Sequence, residues 1–338
     1  MNEIIKNDLS GLHIEDFGDT LFEKSILITG ATGLLGTYLS SALALKKKIG
    51  LGPRKIVVTS KSSNFQKGVP YIEMLDMING DIADPAFIKS LSKFDVIIHA
   101  AGYGQPGKFL DQPLQTLALN TSSLIQLIDH LNNGGKFLFI SSSEVYSGRL
   151  DVPFTENFLG TTNTDHPRAP YIEGKRCGEA IITTASKQLN FSGYIARLAL
   201  AYGPGTRPGD TRVINQLIFR ALAEHKINLI DSGEAMRTYC YISDAVSMIL
   251  RILDSNFPGI YNVGGVSRIS IKDLAESIAA IIGVRVTVPP VSLELPGAPN
   301  DVWLDLNKTL SIVPNQNFLD LNSGLHRTID WQKYIYNL

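Results

Sequence analysis

The sequence has few cysteines and almost no net charge. Its 338 residues include two cysteines, 31 basic and 32 acidic residues, and the formal net charge is −1. Cys177 and Cys240 cannot form a disulfide framework and do not make a CxxC pair, so we expect two buried free thiols in a reducing compartment. The balanced charge excludes strong long-range attraction to nucleic acid or to an anionic membrane.

Long apolar runs and leader signals are also missing. No stretch of 18 apolar residues occurs, so we expect no membrane span. Residues 1–24 lack the basic and then apolar order of a signal peptide, and we interpret them as an N-terminal extension of a cytoplasmic protein. The six histidines show no metal-ligand spacing, which predicts that no metal is bound.

Apolar segments of strand length alternate with helical segments along the chain. Predicted strands cover 25–29, 55–59, 77–81, 95–99, 136–140, 194–200, 228–230, 259–263 and 285–288. Predicted helices cover 34–45, 113–131, 171–189, 213–224, 244–253 and 271–282. Apolar strands that alternate with helices predict the α/β class, with a Rossmann doubly wound parallel sheet.

The length of the chain is too great for one minimal Rossmann sheet. We assign residues 25–200 to an NAD(P)-binding Rossmann domain. Residues 201–338 are assigned mainly to a smaller C-terminal α/β substrate-binding lobe, with some segments returning to the Rossmann domain.

Three glycines separate the first predicted strand from the first predicted helix. They stand in the run Thr29-Gly30-Ala31-Thr32-Gly33-Leu34-Leu35-Gly36. Glycine permits a tight turn and a close approach of backbone to a pyrophosphate, and the helix N-terminus offers free N–H donors. The alternative is a glycine turn without a ligand. In this position we predict a dinucleotide site formed by Gly30, Thr32, Gly33, Leu34, Leu35 and Gly36.

The segment after the second predicted strand lacks the acid that usually binds the ribose hydroxyls of NAD. It reads Thr59-Ser60-Lys61-Ser62-Ser63. Ser60 and Lys61 suit a 2′-phosphate, so we expect NAD with NADP as the alternative, unless Lys61 is simply solvated. The other candidate cofactor residues follow the third and fourth predicted strands; they are Asp81, which could accept from the adenine amino group or serve a turn, Ile82, Ala100 and Ala101.

A tyrosine and a lysine stand four residues apart at the start of a predicted helix. At this spacing Tyr171 and Lys175 project from one face, and a nearby cation stabilises a phenolate. Alone, such a pair is usually ordinary helix surface. Ser142, at the carboxyl edge of the predicted sheet, could donate to a sugar oxygen while Tyr171 takes its proton. If the segment is extended, the side chain of Glu144 points to the same side as that of Ser142, two residues earlier. We predict an acid-base role for Glu144.

The glycine run, Ser142, Tyr171 and Lys175 together resemble the extended short-chain dehydrogenase/reductase family. Within it, several stretches are most similar to UDP-glucuronate decarboxylases. These stretches are Asn120-Thr121, Ser142-Ser143-Glu144-Val145-Tyr146, Pro167-Arg168-Ala169-Pro170-Tyr171-Ile172-Glu173-Gly174-Lys175-Arg176, Asp210-Thr211-Arg212-Val213, and Arg237 ahead of Tyr241-Ile242-Ser243-Asp244. Two features depart from the family pattern: Leu200 stands where the decarboxylases have a substrate-contacting asparagine, and the acid after the second strand is absent.

The resemblance implies a nucleotide-sugar substrate and transient oxidation at its carbon 4 on a nicotinamide cofactor. It further implies that Arg212 and Arg237 hold the diphosphate, and that the predicted helices 113–131 and 171–189 form a homodimer. Decarboxylation of UDP-glucuronate is the first expectation. A 4,6-dehydratase is the close alternative, followed by an epimerase and, from a different class, a non-catalytic NAD(P)-binding sensor.

Overall fold

A computed structural model describes residues 2–61, 64–289 and 301–338. Ser62 and Ser63 of the predicted adenosine segment lie outside the described residues. The strands are β1 (Ser25–Thr29), β2 (Lys55–Ser60), β3 (Asp76–Asn79), β4 (Phe94–His99), β5 (Leu131–Ser142), β6 (Ser192–Leu198), β7 (Ala201–Tyr202), β8 (Lys226–Asn228), β9 (Met236–Tyr241), β10 (Gly259–Val263), β11 (Ser267–Ser270), β12 (Arg285–Thr287) and β13 (Asp301–Val302). The helices are α1 (Asn2–Ser10), α2 (Leu34–Lys48), α3 (Pro85–Lys89), α4 (Pro106–Asp111), α5 (Pro113–Asn120), α6 (Ser122–Ile128), α7 (Ala169–Gln188), α8 (Val213–Glu224), α9 (Ile242–Asp254), α10 (Ile271–Ile282), α11 (Asn307–Ile312) and α12 (Leu321–Tyr336).

The main sheet has seven parallel strands in the order β10-β6-β5-β4-β1-β2-β3. The predicted Rossmann fold is therefore confirmed. The chain leaves β1 toward one edge of the sheet and reaches β4 on the other side of β1, so the strand order reverses between these two neighbours. Ligands of open α/β sheets bind at the carboxyl ends of the strands at such a reversal.

Alternate residues of each strand enter two apolar clusters on opposite faces of the sheet. Ile26 and Ile28 of β1 pack in the cluster that includes α2 and α9, whereas Leu27 packs in the cluster that includes α5, α6 and α7. Strands that are buried on both faces have no polar face, which is why they read as continuous apolar runs. The sheet therefore forms a rigid support for the loops at its carboxyl edge.

The predicted helix 113–131 is interrupted in the structure. The α5 helix ends at Asn120, and α6 begins at Ser122 after Thr121, whose φ of −129° and ψ of −81° are not helical. The hydroxyl of Thr121 donates to the carbonyl of Leu117 at 2.8 Å. Residue Leu131, placed at the end of the predicted helix, begins β5. Apolar periodicity alone therefore overestimated the length of this helix.

The N-terminal segment contributes to the core. Ile5 and Leu9 of α1 are fully buried against the α2 side of the sheet. Asp8 is buried with them and accepts hydrogen bonds from the hydroxyls of Tyr38 at 2.5 Å and Tyr241 at 2.8 Å. Packing against α2, rather than a polar surface, explains the apolar residues of this segment.

Beyond residue 200, short strands form two small sheets, β11-β9-β13 with β7 beside β9, and β12-β8. The β8 strand begins two residues before the predicted strand at 228. In contrast, β10 pairs with β6 and so returns to the main sheet. The division into two lobes near residue 200 stays a prediction.

The expectation that both cysteines are buried was wrong for one of them. Cys240 is buried, but Cys177 is exposed. The buried side of α7 includes Lys175, Gly178 and Glu179. Because the helix turns about 100° per residue, Cys177 lies on another side of the helix. None of the helices in the described ranges has the length and apolar character of a membrane span.

Candidate active site

The glycine run forms a tight turn that contacts the loop after β4. Gly30 has a φ of 69°, and a Cβ there would lie 2.6 Å from the Cα of Ala101 and 2.7 Å from the carbonyl oxygen of Ala100. A Cβ on Gly36 would lie 2.3 Å from the carbonyl oxygen of Gly30. Both positions therefore require glycine, and Ala100 and Ala101 lie beside the turn; their contact with a cofactor stays a prediction.

The N-terminus of α2 points to this turn. Gly33 is the N-cap and gives no side-chain hydrogen bond, and the first helical residues are Leu34, Leu35 and Gly36. The first N–H groups of a helix have no partner within the helix and attract an anion. This arrangement suits a pyrophosphate.

Beside the turn, the hydroxyls of Thr32 and Ser60 are 2.9 Å apart and share a hydrogen bond. Lys61 is not a freely solvated residue, because its ammonium pairs with Asp81 at 2.8 Å. Asp81 also accepts from the backbone N–H of Ala83 at 2.9 Å. Burial opposes ionisation of Asp81, but the hydrogen bonds from Lys61 and Ala83 outweigh it and lower its pKa. Its role toward adenine stays a prediction; its neighbour Ile82 is buried.

Ser142, Tyr171 and Lys175 come together at the carboxyl edge of the sheet. Ser142 ends β5, and its hydroxyl acts on the phenol of Tyr171 in the direction that lowers the pKa of that phenol. The ammonium of Lys175 donates to the carbonyl of Ile140 at 2.7 Å and lies 5.7 Å from the centre of the Tyr171 ring. The helix that carries Tyr171 and Lys175 packs on β5, so these three side chains converge as the sequence spacing predicts.

The electrostatics of this pair differ from the sequence expectation. Burial raises the pKa of Tyr171 to about 12, although the nearby Ser142 hydroxyl acts in the opposite direction. Burial likewise lowers the pKa of Lys175 to about 7. The nearby cation therefore does not by itself make the phenol acidic, because loss of solvation dominates at both groups. Additional positive charge beside the phenol is needed to stabilise the phenolate.

Glu144 lies in a 3-10 helix at residues 143–146, not in an extended segment. The hydroxyl of Ser142 caps this turn by accepting from the N–H of Glu144 at 3.2 Å. The carboxylate of Glu144 forms a bidentate ion pair with Arg168, one bond of which joins Nε to Oε2 at 3.2 Å. Both side chains are mostly buried. Glu144 is therefore held in place as a carboxylate by a residue to which the sequence interpretation gave no role.

An aromatic side chain covers the candidate catalytic phenol. Phe109 of α4 stacks on Tyr171 with ring centres 4.7 Å apart and planes 12° apart. The guanidinium of Arg168 lies 5.5 Å from the centre of the Phe109 ring. Sequence reasoning missed Phe109, because nothing in the short segment 106–111 marks a contact with a helix more than 60 positions later.

The two arginines expected to hold a diphosphate have different surroundings. Arg212 makes a bidentate ion pair with Asp210, with one N–O distance of 2.6 Å, and donates to the carbonyl of Ala201. Arg237 is half-buried, and within the described ranges it makes no ion pair. Burial lowers the pKa of Arg237 even though Tyr239 and Glu144 oppose the shift. An anion beside Arg237 would offset the loss of solvation that burial imposes on its guanidinium.

Leu200 adopts a backbone conformation that asparagine and glycine accept more easily. Its φ is 44°, in the left-handed region, where a branched apolar side chain is strained by about 1 kcal/mol or more. Its carbonyl accepts from the N–H of Cys240 at 3.3 Å. The departure from the decarboxylase pattern is therefore a change of side chain in a strained turn.

A surface cavity lies away from the candidate catalytic residues. It has a volume of about 840 Å³, and its lining residues include Lys6, Lys48, Lys67, Tyr71 and Tyr334. Lys48 is the last residue of α2, so this cavity lies at the end of the helix opposite to the glycine turn. Within the described ranges, no three His, Cys, Asp or Glu side chains are grouped as metal ligands.

Curated relatives match most of the chain. The chain is 29% identical to UDP-glucuronic acid decarboxylase 1 of Xenopus tropicalis over 91% of its own length and 72% of the relative. It is 27% identical to UDP-glucuronic acid decarboxylase 6 of Arabidopsis thaliana over 89% of its own length and 86% of the relative. These identities leave the individual reaction to be tested.

Solved structures share the fold. An epimerase from Methanothermobacter thermautotrophicus superposes with a TM-score of 0.81 at 18% identity, over 99% of this chain and 96% of that one. The UDP-glucuronic acid 4-epimerase from Bacillus cereus, solved with UDP-glucuronic acid and NAD, gives a TM-score of 0.77 at 24% identity, over 92% of this chain and 100% of that one. A sequence profile of the NAD dependent epimerase/dehydratase family matches residues 26–264. The chain belongs to that family.

Proposed function

We propose that this protein decarboxylates UDP-glucuronate to a UDP-pentose through transient oxidation of carbon 4. The observation that carries the proposal is the convergence of Ser142, Tyr171 and Lys175 beside the Glu144–Arg168 ion pair. The names of the curated relatives support this choice of reaction. A binding protein without catalysis has no need of a buried tyrosine-lysine pair next to a serine.

The turn at Gly30 fits a dinucleotide. Neighbouring backbone lies where a Cβ would stand at Gly30 and Gly36, so the turn is tight, and the N–H groups at the start of α2 face it. The backbone at Gly30–Gly36 would hold the pyrophosphate. When bound, NAD supplies the hydride acceptor and a positive charge beside the phenol. That charge is the one that Tyr171 requires to ionise near neutral pH.

Tyr171 takes the proton of the sugar 4-hydroxyl while Ser142 donates a hydrogen bond to the same oxygen. The resulting 4-ketone lies beta to the carboxylate at carbon 6. The bond between carbons 5 and 6 then breaks, carbon dioxide leaves, and its electron pair enters the ketone as an enolate. A proton returns to carbon 5, with Glu144 controlling proton movement there, and Tyr171 returns its proton when carbon 4 is reduced. Arg237, with Arg212, would hold the diphosphate.

The reaction is tested by the mass of the product. Purified protein is incubated with UDP-glucuronate and, separately, with UDP-glucose and GDP-mannose, and the products are identified by mass spectrometry and, for their configuration, by proton NMR. We expect UDP-glucuronate to lose carbon dioxide and the two hexoses to be unchanged. Loss of water from a hexose would instead establish a dehydratase, and a change of configuration without a change of mass would establish an epimerase.

We also propose a homodimer in which α5, α6 and α7 pack against their copies. Large apolar side chains of α5 and α6 are exposed: Leu114 by 80% and Ile125 by 57%. The α7 helix packs directly on α5, so the exposed faces of both helices form one surface. Contiguous exposed apolar side chains of this kind mark association surfaces.

The double variant Leu114→Glu/Ile125→Glu is expected to be a monomer, because two charges would have to be buried in the interface. Molar mass is measured by light scattering after size-exclusion chromatography. The control Phe257→Glu changes a residue that is 64% exposed outside these helices and should stay dimeric. A dimeric double variant, or a monomeric unmodified protein at micromolar concentration, would contradict the proposal.

A further inference from the structure

A loop from the C-terminal part of the chain lies against the glycine turn. This loop joins β7 to α8, and Arg207 extends from it. The Nε of Arg207 donates to the carbonyl of Thr32 in the turn at 3.1 Å, and its Nη2 donates to the carbonyl of Asn64 at 3.0 Å. Asn64 follows β2, so one side chain connects the glycine turn to the segment beyond the second strand.

A second side chain connects the same loop to the segment after β2. The amide of Gln66 donates to the carbonyl of Gly205 in the loop at 2.8 Å. The donor here lies on the segment after β2, whereas Arg207 donates to that segment from the loop. These hydrogen bonds hold the loop, the glycine turn and the segment after β2 together. We refer to Arg207 and Gln66 as the clasp.

The two sides of the clasp are held in different ways. On the loop, the carbonyl of Thr206 accepts from the indole N–H of the fully buried Trp331 at 2.9 Å. Asn64 and Gln66, in contrast, lie outside helices and strands. Segments without regular structure open at a lower free energy than buried elements do. The loop is therefore the fixed side of the clasp, and the segment after β2 is the side that opens.

The clasp crosses the groove in which a dinucleotide is expected to lie. A pyrophosphate binds at the glycine turn of such a fold, and the adenosine ribose lies toward the end of the second strand. Arg207 contacts the turn at one end of this path and Asn64, beyond the end of β2, at the other. A dinucleotide that enters or leaves across this side must separate these contacts.

We infer that Arg207 and Gln66 act as a gate, which must open before NAD enters or leaves the glycine turn and which slows both steps. The inference rests on the proposed function only in that a dinucleotide binds at this turn. The same cofactor must be present when carbon 4 is oxidised and when it is reduced again. A slow gate keeps it in place between the two steps.

The test measures the rates of cofactor binding without turnover. Stopped-flow fluorescence of NADH on the purified full chain gives the association rate constant, and displacement of bound NADH by excess NAD gives the dissociation rate constant. A gate that makes the same hydrogen bonds with and without the cofactor changes both rates and leaves their ratio, the dissociation constant, unchanged. A direct contact with the cofactor instead changes mainly the dissociation rate.

Arg207→Ala is expected to raise both rate constants of NADH by about 10-fold or more, because two charge-assisted hydrogen bonds of the closed gate are lost. The dissociation constant should change by less than about 2-fold. Gln66→Ala removes one neutral hydrogen bond and should raise both rates by about 2- to 10-fold. Arg207→Lys keeps the charge but not the planar guanidinium, and its rates should lie between those of Arg207→Ala and the unmodified protein.

The control Arg54→Ala removes a guanidinium that is 65% exposed beside the start of β2, and it should leave both rates unchanged. Unchanged rates in both clasp variants, with NADH still bound, would overturn the inference and leave the proposed decarboxylation intact. Slower association or a weaker dissociation constant in Arg207→Ala would also overturn it, since Arg207 would then contact the cofactor directly or support the shape of the turn.

Absence of NADH binding by the unmodified protein would overturn the inference together with the proposed function. Gln66→Ala opens the gate from the other segment and leaves Arg207 in place. Misfolding of one variant, detected by its melting temperature, therefore leaves the other to decide the question.

Discussion

Replacement of Tyr171 by phenylalanine is expected to lower kcat for UDP-glucuronate by about 10²- to 10⁴-fold, the range that a positioned acid-base group contributes. The ring would keep its stacking on Phe109, and only the hydroxyl beside Ser142 is removed. Melting temperature should therefore change little. The reason for the loss is chemical: without the hydroxyl, no group at this position can take the proton of the 4-hydroxyl.

Initial rates and the melting temperature are measured on the same preparation. Tyr334→Phe is the matched control, since this tyrosine lies near the end of α12 and lines the large surface cavity. Its rate should equal that of the unmodified protein. A Tyr171→Phe variant with an unchanged rate on every nucleotide sugar tested would exclude Tyr171 as the proton acceptor, whatever the product.

The sheet and the tyrosine-lysine pair could be predicted from the sequence because both depend on local order. A strand buried on two faces must be apolar along its length, and residues four apart on a helix must share a face. Thr121 shows the limit of this reasoning. A threonine that bonds to the carbonyl four residues earlier, as Thr121 does to Leu117, is common inside helices, so its presence does not reveal that the helix is interrupted there.

Contacts between distant segments could not be predicted in the same way. Arg207 reaches Thr32 across 175 positions of sequence, and Phe109 reaches Tyr171 from a different helix. The ion pair of Glu144 with Arg168 was missed for a related reason, since both residues were quoted as parts of separate motifs. The sequence indicates the candidate reacting groups, whereas the structure shows the residues that position them.

A buried ion pair holds the end of the strand that carries Ser142. Glu179 of α7 pairs with Arg197 of β6, with an N–O distance of 2.7 Å and side-chain exposures of 6% and 3%. Glu179 also accepts from the hydroxyl of Ser141 at 2.5 Å, and Ser141 directly precedes Ser142 in β5. Although burial alone would lower it, the pKa of Arg197 is raised by Glu179. The pair thus connects β6, α7 and the end of β5.

Glu179→Ala is expected to lower the free energy of unfolding by about 3–5 kcal/mol, because it leaves Arg197 as a buried charge without a counter-ion. The double variant Glu179→Leu/Arg197→Met should recover much of this loss, since it removes both charges and refills the space. The control Asp330→Ala breaks the exposed pair with Lys333, with an N–O distance of 3.8 Å, and should cost less than about 1 kcal/mol.

Urea titrations at constant pH give the three free energies. The rate on UDP-glucuronate, measured where Glu179→Ala is still folded, should also fall, because Ser141 loses its acceptor and Ser142 is attached to it. Stability of Glu179→Ala equal to that of Asp330→Ala would show that water or a shifted side chain satisfies Arg197, and that the pair does not hold the end of β5. A double variant as unstable as Glu179→Ala would assign the loss to the hydrogen bonds of the two side chains, with Ser141, Tyr146 and the carbonyls of Glu156 and Phe158, instead of to the unpaired charge.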